Sequence, residues 1–266
     1  MKFFLSLTTA LLAAVGISTL TSQRPTRADS AAAQETPAAD SAKIETGAVE
    51  ALNEMGTYLR SLKSFQIQSE ATSEIVMPDG QKVQLAQNTN LLARVPDRLM
   101  ADIRGDQGAK LYMFDGKSFA FLARDENFYA VVPAPPTLKQ LANILEDKYD
   151  VELPLVDLFL WGQADTTPPK ITSATDIGPG EVGGITCEHY AFRQEGLDWQ
   201  VWIQQGDYPL PRKLVLTTTT DEARPQHTSV LNWNLAPSYN EDSFKFDPPQ
   251  GAHKIEFASA SGEGNK

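Results

Sequence analysis

Apolar and polar positions alternate with a period of two along most of the chain, most cleanly over residues 91–133. Asp115-Gly116 sits between two such runs and predicts a two-residue type I′ hairpin, with Phe114 opposite Lys117, Tyr112 opposite Phe119 and Lys110 opposite Phe121. One face of that hairpin then carries Tyr112, Phe114, Phe119 and Phe121, and the other Leu111, Met113, Ala120 and Leu122. Both faces are apolar. Such a sheet needs something lying on each side, or must curl around a cavity.

Ahead of this stretch, Ile44, Ala48, Leu52, Met55, Leu59 and Leu62 recur every three or four residues, with Glu45, Glu50, Glu54 and Arg60 elsewhere on the wheel. The spacing predicts an amphipathic helix over 44–62. After Ser64 the period becomes two: Phe65, Ile67, Ser69, Ala71, Ser73 and Ile75 lead to a turn at Pro78-Asp79-Gly80, and Val83, Leu85, Gln87, Thr89, Leu91, Ala93 and Val95 return. Leu99, Ala101 and Ile103, the Asp115-Gly116 hairpin and residues 128–132 complete six strands. Pro133, Pro135 and Pro136 end the run, and Thr137 caps a short helix with Leu138, Leu141, Ile144 and Leu145 on one face. Pro154 opens a further turn over 155–161, closed by Gly162. Strand patterns resume at 171–177, 185–193, 199–204, 212–220 and 227–235. The expected fold is mainly β with α: eleven antiparallel strands, a helix in front and a helical insertion in the middle. Phe244-Lys245-Phe246 and Ile255-Glu256-Phe257 are each placed to add an edge contact.

Residues 1–28 read as a cleaved export signal, with Lys2 at the start, an apolar run over 3–20 and Thr26-Arg27-Ala28 as the cleavage site. Ser6, Thr8, Thr9, Gly16, Ser18 and Thr19 interrupt the run and argue against a membrane anchor. Residues 29–43 are a polar, disordered linker, 44–258 form one domain, and 259–266 a flexible tail. Loss of residues 1–28 removes Lys2, Arg24 and Arg27 and no acid, so the formal charge of −11 becomes −14. That balance argues against nucleic acid as a partner and against anionic membrane surfaces. Cys187 is the single cysteine, which leaves neither an internal disulfide nor a lipid-bearing N-terminal cysteine.

Candidate chemistry is sparse. Gly178-Pro179-Gly180-Glu181-Val182-Gly183 spells a nucleotide-binding pattern, but a strand-like segment follows where a helix should begin, so it reads as a hairpin loop. His189, His227 and His253 are isolated and show no metal spacing. Cys187 and His189 lack a third, orienting group, so Cys187 reads as a half-buried structural thiol and no enzyme is expected. The aromatic set Tyr112, Phe114, Phe119, Phe121, Phe128 and Tyr129 is either plain core or one wall of an apolar pocket. As a pocket its candidate lining is Tyr112, Phe114, Phe119, Phe121, Phe128, Ala130 and Val132, with Leu52, Met55 and Leu59 opposite on the first helix. Alternation groups these residues and leaves open which face is inward.

The segments Pro96-Asp97-Arg98-Leu99, Asp115-Gly116-Lys117, 129–136, Glu152-Leu153-Pro154-Leu155 and Asp198-Trp199-Gln200-Val201-Trp202-Ile203-Gln204 resemble a family of predicted bacterial periplasmic proteins whose domain has no assigned function. That family looks like a distant member of the LolA/LolB-like superfamily of lipoprotein carriers and receptors. The resemblance implies an eleven-stranded antiparallel half-barrel, helices over its open face and an apolar cavity for acyl chains. The carriers have an arginine immediately before the strand-opening proline; this chain has Val95 there, and Arg94 points to the opposite face, so a carrier-type lid latch is not implied. Two functions follow as expectations for a periplasmic monomer without metal or other cofactor. One is binding of a lipid or acylated ligand, and the other a non-catalytic envelope interaction or sensing module with an envelope protein as partner and a packed interior.

Overall fold

The period-two stretches become strands, and the strands pair in two runs. The computed structural model describes residues 43–155, 158 and 170–257. Helix α1 (Thr46–Ser61) leads into β1 (Ser64–Val76), β2 (Lys82–Arg94), β3 (Arg98–Gly105), β4 (Gly108–Phe114), β5 (Ser118–Ala123) and β6 (Phe128–Pro133). Helix α2 (Leu138–Tyr149) precedes β7 (Ser173–Val182), β8 (Ile185–Gln194), β9 (Leu197–Gln204), β10 (Pro211–Thr218) and β11 (Gln226–Asn234); a short 3-10 helix (Glu241–Phe244) and β12 (His253–Lys254) follow. Among the described residues twelve strands form one open sheet, ordered β12-β6-β5-β4-β3-β2-β1-β11-β10-β9-β8-β7. Each run is a meander, and antiparallel pairing of β1 with β11 joins the two. The eleven expected strands are present. The twelfth is a two-residue addition parallel to β6, with His253 opposite Phe128 and Lys254 opposite Tyr129.

Several local expectations are corrected. In the β4–β5 hairpin Phe114 pairs with Phe119, Tyr112 with Phe121 and Lys110 with Ala123, so the turn is Gly116-Lys117 rather than Asp115-Gly116. The reason lies in the Asp115 carboxylate, which accepts from the Lys117 and Ser118 backbone N–H groups at 2.9 and 2.7 Å and from the Ser118 hydroxyl. Gly116 then takes the positive φ of 82° that the first central position of a type II′ turn requires. Every partner moves by two residues, which leaves the faces as predicted. Helix α1 starts at Thr46 because Ile44 bridges Ala174 of β7 instead, and Ile44 stays 52% exposed. Ile144, 42% exposed, stands outside the buried stripe of Leu138, Leu141 and Leu145. The glycine-rich motif is no loop: β7 runs to Val182, and the turn is Gly183-Gly184, both at positive φ. The export signal, residues 29–42 of the linker, the tail and most of the 155–162 turn lie outside the described residues.

Two different devices cover the two faces. On the inner face, Ala48, Leu52, Met55 and Leu59 of α1 and Leu138, Leu141 and Leu145 of α2 share one core with Phe65, Ile67, Leu91, Leu99, Phe114 and Phe119 of the sheet. The outer face buries Leu92, Met113, Ala120 and Leu122. Across that face runs the segment after β11. Phe244 is fully buried, its ring 5.6 Å from Tyr239 and under the Arg94 guanidinium at 6.0 Å, while Phe246 meets Tyr129 at 5.6 Å. Glu241 bridges Arg94 and Arg98. The chain then rounds the β6 edge through β12 and brings Phe257 to the inner face, where its ring lies 6.1 Å from Phe119 and 6.0 Å from Phe121. Replacement of Phe244 by Ala is expected to lower unfolding free energy by about 3–5 kcal/mol in urea titrations, as for a large aromatic lost from a tight core. Glu241→Gln, at an exposed ion pair, should cost far less.

Candidate functional site

Inward orientation of the aromatic hairpin follows from the register. Residues directly opposite across neighbouring strands share a face, and Phe65, Ala93, Leu99, Phe114, Phe119 and Val132 are linked in that way from β1 to β6. Tyr112, Phe114 and Phe119 are buried together with Leu52, Met55 and Leu59, and Phe121 and Val132 pack against them. Tyr112 stacks with Phe119 and Phe121 at 5.9 and 5.5 Å. Phe257 stands edge-on to both phenylalanines and to Tyr149 of α2 at 4.8 Å, so four separate elements meet at this aromatic wall. Burial raises the Tyr112 hydroxyl pKa above its usual range. Ala130, on the same face, is buried. Phe128 is not brought to the wall: it lies at the far end of β6, 40% exposed, against the His253 ring at 5.9 Å.

A second region of the inner face was not singled out from sequence. Along β1 the inward positions change from Phe65 and Ile67 to Ser69, Ala71 and Ser73, whose partners on β2 and β11 include Thr89, Gln87, Ser229 and His227. Ser69, Thr89 and Ser229 are buried. The His227 ring is held at both nitrogens, with Nδ1 2.7 Å from Ser73 Oγ and Nε2 2.7 Å from Ser229 Oγ. Both partners are hydroxyls. The sequence signal was the run of small polar residues at inward positions of β1; what made His227 look isolated was its distance along the chain from Ser73.

The remaining candidates lie on the outer face. Cys187 is fully buried rather than half-buried, and burial pushes its thiol pKa up. His189 stacks on Trp202 at 3.8 Å and hydrogen-bonds Gln200 through Nε2 at 3.0 Å, while Lys213 Nζ sits 4.6 Å over the same indole. Among the described residues no three His, Cys, Asp or Glu side chains gather to hold a metal ion, and no helix is long and apolar enough to cross a membrane.

A family model described as predicted periplasmic protein (DUF2092) matches residues 48–258, from α1 to the end of the C-terminal segment. The chain belongs to that family. No curated protein matches this DUF2092 member. Among solved structures it is similar to an uncharacterized conserved protein from Thermus thermophilus (11% identity, 79% of this chain and 99% of that one, TM-score 0.46). It is also similar to LprF from Mycobacterium bovis (12%, 74% and 96%, 0.42) and to a LolA superfamily protein from Nitrosomonas europaea (9%, 73% and 97%, 0.28).

Burial holds the His227 pKa below its usual 6.5, and His189 is shifted the same way, again chiefly by burial. The unfolded chain therefore takes up protons first as pH falls, so the stability tied to these imidazoles is intact above about pH 6.5 and is lost below it. The lowered carboxyls of Asp115 and Asp198 act further down, below their usual 3.8. In urea titrations the DUF2092 protein should be less stable at about pH 5.5 than at about 7.5, and His227→Gln should flatten that slope; an unchanged slope would show that His227 takes no part in it.

Proposed function

We propose that this periplasmic family member is a non-catalytic binding protein that holds the acyl chain of a lipid or acylated ligand against the inner face of the sheet. The observation that carries the reading is the aromatic wall. Tyr112, Phe119 and Phe121 from the β4–β5 hairpin stand together with Phe257 from the far end of the chain, over an interior that α1 supplies with Leu52, Met55 and Leu59. Apolar, aromatic concave surfaces with few polar groups are the usual setting of a lipid site. A non-catalytic role is supported by His227, both of whose nitrogens meet hydroxyls, and by Cys187, which is buried and away from the inner face. A second reading, an envelope interaction or sensing module closed by its own helices, is favoured by the complete burial of Phe114 and Phe119.

Native mass spectrometry and solvent extraction of protein purified from cells separate the two. Binding predicts co-purifying acyl lipid and uptake of a fluorescent fatty acid; ligand-free protein that takes up none would leave the interaction module. Phe119→Ala adds a quantitative arm. In a close-packed interior it should cost about 3–5 kcal/mol of stability with uptake unaffected, whereas at a ligand-bearing wall part of that loss should appear as weaker uptake.

A further inference from the structure

We propose that the Ser73–His227–Ser229 relay, on the inner face of β1 and β11, receives the uncharged ester-and-hydroxyl head of an acylglycerol-type lipid; the proposal rests on the acyl-binding reading above. Polar groups at inward positions of a central sheet are disfavoured unless they are hydrogen-bonded, and valine or alanine would suit the alternation better. Here β1 abandons its apolar series at Ser69 and keeps small polar or alanine side chains through Ser73. Ser229 is fully covered, while Ser73 and His227 are only half-buried, so the relay has a closed end and an open one.

Donors and acceptors define what fits. A neutral imidazole donates from one nitrogen and accepts at the other. Of the two serines at 2.7 Å, one therefore gives its proton to the ring and keeps lone pairs free, and the other accepts from the ring and keeps its O–H free. At the half-buried end Ser73 presents lone pairs in either tautomer, and its O–H as well when Nδ1 carries the proton, while Ser229 is enclosed at the covered end. That matches a glycerol ester, which carries an accepting carbonyl beside a hydroxyl. It matches a carboxylate or phosphate poorly, since an anion accepts only and needs a positive neighbour.

The surroundings agree. His227 faces Leu216 across β10, and Ser73 faces Leu85 across β2. Among the described residues the cation that register places on this face is Lys110, two strands from Thr89 with Ile103 between. Burial also keeps the His227 imidazole neutral. Ile67 and Ser73 are separated along β1 by about 20 Å of extended strand, so a head at the relay leaves a long acyl chain within reach of the apolar half of the face.

The test is competition against the fluorescent apolar probe N-phenyl-1-naphthylamine, using full-length protein stripped of lipid, with 1-monooleoylglycerol, oleate and oleoyl lysophosphatidate as competitors. The three share one chain and differ in head charge. Monooleoylglycerol is expected to displace the probe at about tenfold lower concentration than either anion, the discrimination expected of a hydrogen-bonding site that offers no counter-charge. Ser73→Ala and His227→Gln, each checked for an unaltered circular dichroism spectrum, should weaken monooleoylglycerol severalfold and leave oleate unchanged. Equal preference for the three lipids, a preference for an anion, or a parallel loss for all three in Ser73→Ala would overturn the head assignment while acyl binding stood. Failure of the wild type to bind the probe or any of the lipids would instead remove the acyl-binding reading, and the head site with it.

Discussion

The seam between β1 and β11 is the interaction on which the structure depends. Among the described residues all other sizeable strand pairs join neighbours in sequence, whereas this one brings Ser73 beside His227 across 154 residues. Closing so long a loop is entropically unfavourable before any contact rewards it. The compensation is concentrated on the inner side of the seam, where Phe65, Ile67 and Leu231 are fully buried and the Phe65 and Trp233 rings stand 5.5 Å apart. Trp233 also donates from its indole N–H to the Pro211 carbonyl at 2.9 Å, which ties β11 to the start of β10. Without this seam there would be two separate meanders, neither with a continuous inner face for α1 to lie on.

How much of this was legible in the sequence depends on whether the determining contact is local. The meanders, both helices and the grouping of Tyr112, Phe114, Phe119 and Phe121 came from periodicity, and the grouping survived a displaced turn because a shift of two positions returns every side chain to its own face. The turn itself was misplaced because Asp115 uses its side chain to cap the loop, a contact that the dipeptide alone does not reveal. Phe128 shares the predicted face, yet alternation says nothing of how far along a strand the covering elements reach. The Ser73–His227 contact was illegible for a different reason: period-two patterning identifies strands but not which strand lies beside which.

Cover for a sheet that is apolar on both sides is divided by origin. The inner side is covered by helices with continuous backbone hydrogen bonding and a wide apolar stripe. The outer side is covered by irregular chain, held by one fully buried ring and by the bridge from Glu241 to Arg94 and Arg98. The same segment supplies Phe257 to the aromatic wall, so the two faces are mechanically linked around the β6 edge.

One stretch after β11 serves as both edge guard for β6 and cover for the outer face. The Ala252–Ile255 stretch occupies the β6 edge, with the His253 and Ile255 backbone N–H groups donating to the Asn127 and Tyr129 carbonyls. A protease that trimmed the chain behind β11 would leave the eleven long strands in place but strip that edge and take the Phe244 and Phe246 rings off the outer face, from Arg94 and Tyr129. An unguarded strand bordered by apolar side chains is the template from which copies of a β-protein add to one another, strand upon strand.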